Sequence, residues 1–215
     1  MDPRHETLFP TGFFGRADER PDAEFYAFDR LVTHIDDRAI AAVGELYVEL
    51  DLTGDGSGAV LDICSSWISH FPEPPERLVV TGMNERELAA NIAADERHVG
   101  DLNEQPVLPG TDGEFAAVTC CVSVDYLTRP LDVFAEAARV LVDGGVFVCT
   151  FSNRCFPTKA INGWLGTDDT GRCRIVETYF ELTDGFEAPI TELRTPAGPG
   201  DPLFAVRAHR TARTA

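Results

Sequence analysis

A chain of 215 residues is long enough for one α/β domain that buries roughly 70% of the surface its unfolded form exposes. Thirty-six acidic residues against 18 basic ones leave a net charge of −18. Such a surface repels phosphate backbones and argues against a nucleic-acid partner. Six cysteines in a chain this long make no disulfide scaffold, and no Cys or His spacing suggests a metal site.

The first residues lack the basic start and apolar core of a signal peptide, and no apolar run reaches membrane-spanning length. The expectation is therefore a cytoplasmic protein without a membrane partner. Residues 1–20 are polar apart from Leu8, Phe9, Phe13 and Phe14, and should drape over a core. Phe25, Tyr26, Phe28, Leu31 and Val32 follow as an apolar cluster of uncertain period. Asp36 and Asp37 then suit a helix start, where carboxylates meet free backbone N–H groups. Ile40, Val43, Leu46, Tyr47 and Leu50 recur at helical spacing, and the glycine-rich run 53–58 ends that helix. Residues 1–52 are thus expected to form an N-terminal helical cap rather than a separate domain, with residues 53–215 as the main domain.

From there strands and helices alternate. Strands are predicted at 59–64, 77–81, 97–100, 115–122, 146–152, 186–193 and 203–209. Helices are predicted at 85–92, 131–142, 156–165 and 171–182. The central strands are continuous apolar runs, as in strands covered on both faces. The alternation implies a Rossmann-like, doubly wound and mostly parallel seven-stranded sheet. The last two strands lack a helix between them, and the Pro196–Gly200 linker suits an antiparallel pair, leaving 203–209 as the one antiparallel strand.

Ligands of such sheets bind outside the carboxyl ends of the strands, where strand order reverses. Four strand ends matter: Asp62 to Ser66; Gly82, Met83 and Asn84; Gly100, Asp101 and Leu102; and Cys121, Val122 and Ser123 running into Asp125 and Tyr126. Gly100-Asp101 with the later Pro106-Val107-Leu108-Pro109, and Arg139-Val140-Leu141-Val142-Asp143-Gly144-Gly145, carry a resemblance. Over roughly residues 59–210 the chain resembles class I S-adenosylmethionine-dependent methyltransferases of the broad type 11 group. It departs from them in one place. Cys64, Ser66 and Ile68 stand where that family carries three glycines.

The resemblance implies S-adenosylmethionine as cofactor and a small-molecule methyl acceptor. It implies that Asp62 orders the turn and that backbone at Cys64, Ser65 and Ser66 flanks the methionine moiety. Met83 belongs to the cofactor-binding set, and Asn84 falls at the ribose in place of the usual carboxylate, a neutral and weaker partner. Asp101 would accept from the adenine amino group, Leu102 would donate its backbone N–H, and Cys121 and Val122 would lie beneath the transferring methyl. Asp125 and Tyr126 are the candidates for the acceptor side. Ile68 is expected on a helix after the turn, with Trp67 and His70 packing there, and His34 as a helix-junction residue.

Each of these has a plainer structural role beside the functional one. Asp62 could simply cap a helix. Asn84 with Glu87 reads as a capping box, a role compatible with ribose binding. Cys121 and Val122 are core residues first. The alternative to an enzyme is a non-catalytic relative that keeps the fold around an altered pocket. A nucleotide-linked oxidoreductase is the weakest reading, because no Gly-x-Gly-x-x-Gly follows a strand. The acidic surface is explained either by adaptation to high salt or a compositionally biased genome, or by a patch that recruits a cationic substrate.

Overall fold

Along each central strand the side chains divide between two opposite faces, as the two-residue period of a pleated strand requires. Leu61, Ile63, Val79, Val118, Cys120, Phe147, Cys149 and Val206 point into one cluster. Val60, Leu78, Val80, Ala117, Val146, Val148 and Ala205 point into another. Both faces must therefore be covered, and the chain supplies a helical layer for each. The computed structural model describes residues 8–195 and 198–212. Residues 1–7 of the expected cap, and Pro196 and Ala197 of the last linker, lie outside them.

The elements in chain order are α1 (Asp22–Phe25), α2 (Asp37–Glu49), β1 (Gly54–Ile63), β2 (Pro75–Gly82), α3 (Glu85–Ala90), β3 (Glu96–Val99) and β4 (Phe115–Cys121). A 3₁₀ turn (Val124–Tyr126), α4 (Pro130–Val140), β5 (Leu141–Phe151), α5 (Asn162–Leu165), α6 (Asp169–Glu181), β6 (Ile190–Leu193) and β7 (Phe204–His209) complete it. The sheet order is β3-β2-β1-β4-β5-β7-β6. β1 to β5 pair in parallel, and β7 runs antiparallel to both β5 and β6. The expected seven-stranded, mostly parallel sheet with one antiparallel strand is what the chain forms.

Helix α2 starts where the sequence put it: Asp36 Oδ1 accepts from Ala39 N at 2.9 Å. Its Ala39, Val43, Leu46 and Tyr47 are buried against the second face of the sheet. α4, α5 and α6 cover the first face. The segment before α2 behaves differently. Phe9, Phe13 and Phe14 pack beside Tyr179 of α6, while residues 22–34 pass over the carboxyl ends of the strands.

Three sequence expectations change. No helix follows β1; residues 64–74 form a turn and bends, because Pro72, Pro74 and Pro75 remove amide donors and His70 takes a left-handed φ of 58°. Ile68 therefore sits on a loop. The strand expected at 186–193 shrinks to Ile190–Leu193, with Phe186 kept only as an isolated bridge to Arg210. The helix expected at 156–165 keeps only its last turn, Asn162–Leu165.

Candidate functional site

The strand order reverses between β1 and β4, which are hydrogen-bonded neighbours with connections leaving in opposite directions. A cavity of about 250 Å³ opens at the carboxyl ends there. Asp62, Cys64, Ser65, Ser66, Met83, Asn84, Asp101, Leu102, Cys121 and Val122 all line it, so the structure brings together every cofactor candidate named from the sequence. Tyr126 lines it too. Asp125 does not: it is buried behind the wall, 2% exposed, with Oδ2 lacking a hydrogen-bond partner. Burial pushes its carboxyl up to about 8.

The turn after β1 keeps the backbone path that glycine would take. Cys64 holds φ at 52°, in the left-handed region that costs a side-chain-bearing residue about 1–2 kcal/mol. Directly after it the chain crosses β2 so closely that a Cβ on Gly82 would stand 2.2 Å from the Ser65 carbonyl oxygen. Gly82 is therefore the position beneath the turn that has no room for a side chain. Side chains hold what glycines no longer shape. Ser65 Oγ donates to Asp62 Oδ2 at 2.6 Å, and Asn91 Nδ2 donates to Ser69 Oγ and to the Ser66 carbonyl at 2.8 and 3.2 Å. Ser66 Oγ donates to Glu87 Oε2.

Asp62 is 2% exposed and also accepts from Thr119 Oγ1 at 2.8 Å. Burial raises its carboxyl to about 6, against the pull of those hydroxyls. Val122 also carries a left-handed φ, 45°, which a β-branched residue rarely adopts. The Cys120 thiol beside it, and burial, push the Cys64 thiol well above its ordinary value, and burial carries Cys121 to about 12. Neither is a reactive thiolate.

Asn84 caps α3: its Oδ1 accepts from Arg86 N and Glu87 N at 2.9 and 3.1 Å. Its Nδ2 donates to the Tyr26 carbonyl at 3.0 Å and to Asp29 Oδ1 at 3.1 Å. The reciprocal half of a capping box is absent, because Glu87 turns away toward Ser66 and Arg30. Asp101 Oδ1 accepts from Asn103 N at 2.8 Å, fixing the carboxylate at the end of β3.

Residues that the sequence did not single out tie the 22–34 segment across the cavity. Asn103 Nδ2 donates to Asp22 Oδ2 at 2.9 Å and to the Tyr126 carbonyl at 3.0 Å. Asp22, 4% exposed, also accepts from Arg16 Nη1 on both oxygens at 2.7 Å. The chain's single lysine, Lys159, is fully buried. It lies 2.9 Å from Asp22 Oδ1 and donates to the Arg20 and Asp18 carbonyls at 2.7 and 3.2 Å. Arg30 sets its guanidinium over Phe25, 4.5 Å from the ring centre, and its backbone N donates to Glu87 Oε1 at 2.6 Å. No local spacing could have announced this network, since its partners lie up to 141 positions apart.

Val32, His34, Trp67, Ile68, His70, Arg154 and Phe156 also line the cavity. His34 meets Phe156 edge-on at 5.3 Å, and Trp67 Nε1 donates to the Val32 carbonyl at 3.2 Å. Burial lowers His34, and burial with the nearby His34 charge lowers His70 to about 4, so both rings are neutral at pH 7. Tyr126 Oη accepts from Phe156 N at 2.8 Å, and burial raises its phenol, which stays protonated and able to donate.

The sheet order and the cavity at its reversal define the fold of the class I S-adenosylmethionine-dependent methyltransferases, the class that the sequence resembles. Within it, residues 54–149 match the family described as a methyltransferase domain. An S-adenosylmethionine-dependent methyltransferase from Aquifex aeolicus superposes with a TM-score of 0.57 at 12% identity, over 83% of this chain and 92% of that one. Geranyl diphosphate C-methyltransferase from Streptomyces coelicolor, in complex with Mg²⁺, geranyl diphosphate and S-adenosyl-L-homocysteine, gives 0.52 at 12%, over 90% and 100%. The 4+2 cyclase SpnF gives 0.54 at 14%, over 80% and 81%. A search of curated proteins finds no sequence match. Among the described residues no helix is long and apolar enough to cross a membrane.

Proposed function

We propose that the protein transfers a methyl group from S-adenosylmethionine to a small-molecule acceptor. One observation carries this reading: all ten residues that the resemblance assigns to the cofactor meet on one cavity at the strand-order reversal. The chemistry of the lining fits a cationic ligand with an adenine. Asp62, Glu87 and Asp101 put carboxylates on the wall beside Arg30 and Arg154, and Asp101 is held by Asn103 as an acceptor at the end of β3. The left-handed turn at Cys64 keeps backbone, not side chain, on the path of the methionine part.

S-adenosylmethionine, when bound, supplies a methyl group on an electrophilic sulfonium. The chain's task is to hold an acceptor in line at near-attack distance and to keep water out. The 22–34 segment, pinned by Asn84, Asn103 and Glu87, serves as the roof. Tyr126 offers a protonated hydroxyl to orient the acceptor, whereas Asp125, behind the wall, reaches it only through its neighbours. Neutral His34 and His70 can accept a hydrogen bond from the acceptor. Calorimetric titration with S-adenosylmethionine and S-adenosylhomocysteine tests the proposal. Saturable binding of both is expected; no binding at millimolar ligand would overturn it.

A second reading, a kept fold that no longer transfers methyl groups, draws on Asn84. Both ends of that amide are already bonded within the protein. It predicts the negative outcome of the same titration.

A further inference from the structure

We infer that Glu87 supplies the carboxylate that receives the ribose hydroxyls of the cofactor, in place of Asn84. The inference rests on the cofactor reading above. A vicinal diol brings two donors and calls for acceptors held close together. Asn84 has none to give, because its one side-chain oxygen already accepts from Arg86 N and Glu87 N. Of the other carboxylates on the wall, Asp62 is committed to two hydroxyls and Asp22 is enclosed by Arg16, Lys159 and Asn103. Asp101 stands at the end of β3, one strand further out.

Glu87 is different. It is 7% exposed, yet it lines the cavity between the β1 turn and the end of β2. Its Oε2 accepts from the Ser66 hydroxyl and its Oε1 from Arg30 N. Both partners are neutral groups. The Arg30 guanidinium turns away, donating to the Phe25 and Phe28 carbonyls at 2.7 and 3.0 Å. A carboxylate so enclosed, with no ion pair among the described residues, gains from further donors, and each oxygen keeps a second lone pair for one. Its place one helical turn past Asn84 explains why the capping box is only half made. The side chain that would reach back to the Asn84 amide instead faces the cavity.

The test compares adenosine with 2′,3′-dideoxyadenosine by ligand-observed NMR, alongside titration with S-adenosylhomocysteine. The parent should bind adenosine about tenfold more tightly than the dideoxy analogue, the usual loss for removed charge-assisted hydrogen bonds. Glu87→Gln should bring that ratio close to one. Asp101→Ala should weaken both nucleosides and leave the ratio unchanged, since it touches only the base. Should Glu87→Gln not fold, Glu87→Asp takes its place with the same reading, because one lost methylene withdraws the charge. A parent without discrimination, or a ratio that survives at position 87, overturns the inference even when S-adenosylhomocysteine binds. If S-adenosylhomocysteine does not bind the parent at all, the proposed function falls with it.

Discussion

Asp125 makes stability depend on pH in a window where few other groups act. Its carboxyl is raised from 3.8 to about 8 by burial, and one oxygen has no partner. The folded chain therefore holds a proton that the unfolded chain releases, so stability is full below pH 4 and is lost as pH rises toward 8. Other shifted groups interfere at lower pH. Asp62, raised to about 6, acts in the same direction, while His34 and His70, lowered from 6.5, oppose it by binding protons only when unfolded. Carboxyls lowered by ion pairs, such as Glu136 beside Arg139, act below about pH 4.5, and the raised cysteines above 9. Between pH 6.5 and 8 Asp125 is the largest of them, although the unfolded chain's His34 and His70 still oppose it near the lower end. At about 1.4 kcal/mol per pH unit for one proton, the parent should lose about 1 kcal/mol net across that interval. Asp125→Asn carries no charge at any pH, and its stability should hold or rise slightly there. Urea unfolding at pH 6.5, 7.2 and 8.0 reads the difference. Parallel curves for the two proteins would refute the assignment.

Lys159→Met removes a buried ammonium and leaves the Asp18 and Arg20 carbonyls and Asp22 short of a donor. It should cost about 3–5 kcal/mol in urea unfolding, and parent-like stability would count against the network. Asn84→Asp should not strengthen S-adenosylhomocysteine binding, although the resemblance makes a carboxylate the usual residue. The new charge would face the Tyr26 carbonyl and the Asp29 carboxylate and loosen the roof; tighter binding by calorimetry would defeat this account. Cys64→Gly should change S-adenosylhomocysteine affinity less than about threefold and stability by under about 1 kcal/mol, because relief of the left-handed strain is offset by glycine's added chain entropy. A large gain in affinity would mean that the turn had not kept glycine's path.

The sheet was legible because its strands are buried on both faces and stand out as apolar runs. Asp62, Asn84, Asp101 and Cys121 could be gathered into one site before any coordinates, since each ends a strand and the topology brings strand ends together. The loop at 64–74 was misjudged because the glycine-motif comparison carried a helix with it, while Pro72, Pro74 and Pro75 forbade one. Glu87 was legible as a residue but not as a direction. A capping-box spacing states that two side chains can meet, not that a hydroxyl from another loop will win one of them. The Arg16–Asp22–Lys159 cluster was invisible for a different reason. Its energy comes from charges that sequence spacing never places side by side.

That cluster gives the protein a built-in chemical reporter. With one lysine in the sequence, and that lysine fully enclosed beneath the 22–34 segment, an amine-acylating reagent finds no ε-amino group on the native surface. Acylation at position 159 requires Asp22 and the Arg20 carbonyl to move off the Lys159 ammonium as the segment lifts. The rate at which peptide mass spectrometry sees that single adduct appear measures how often the roof opens. Slowing of the adduct by a bound nucleoside would read closure directly, without an added label and without knowledge of the methyl acceptor.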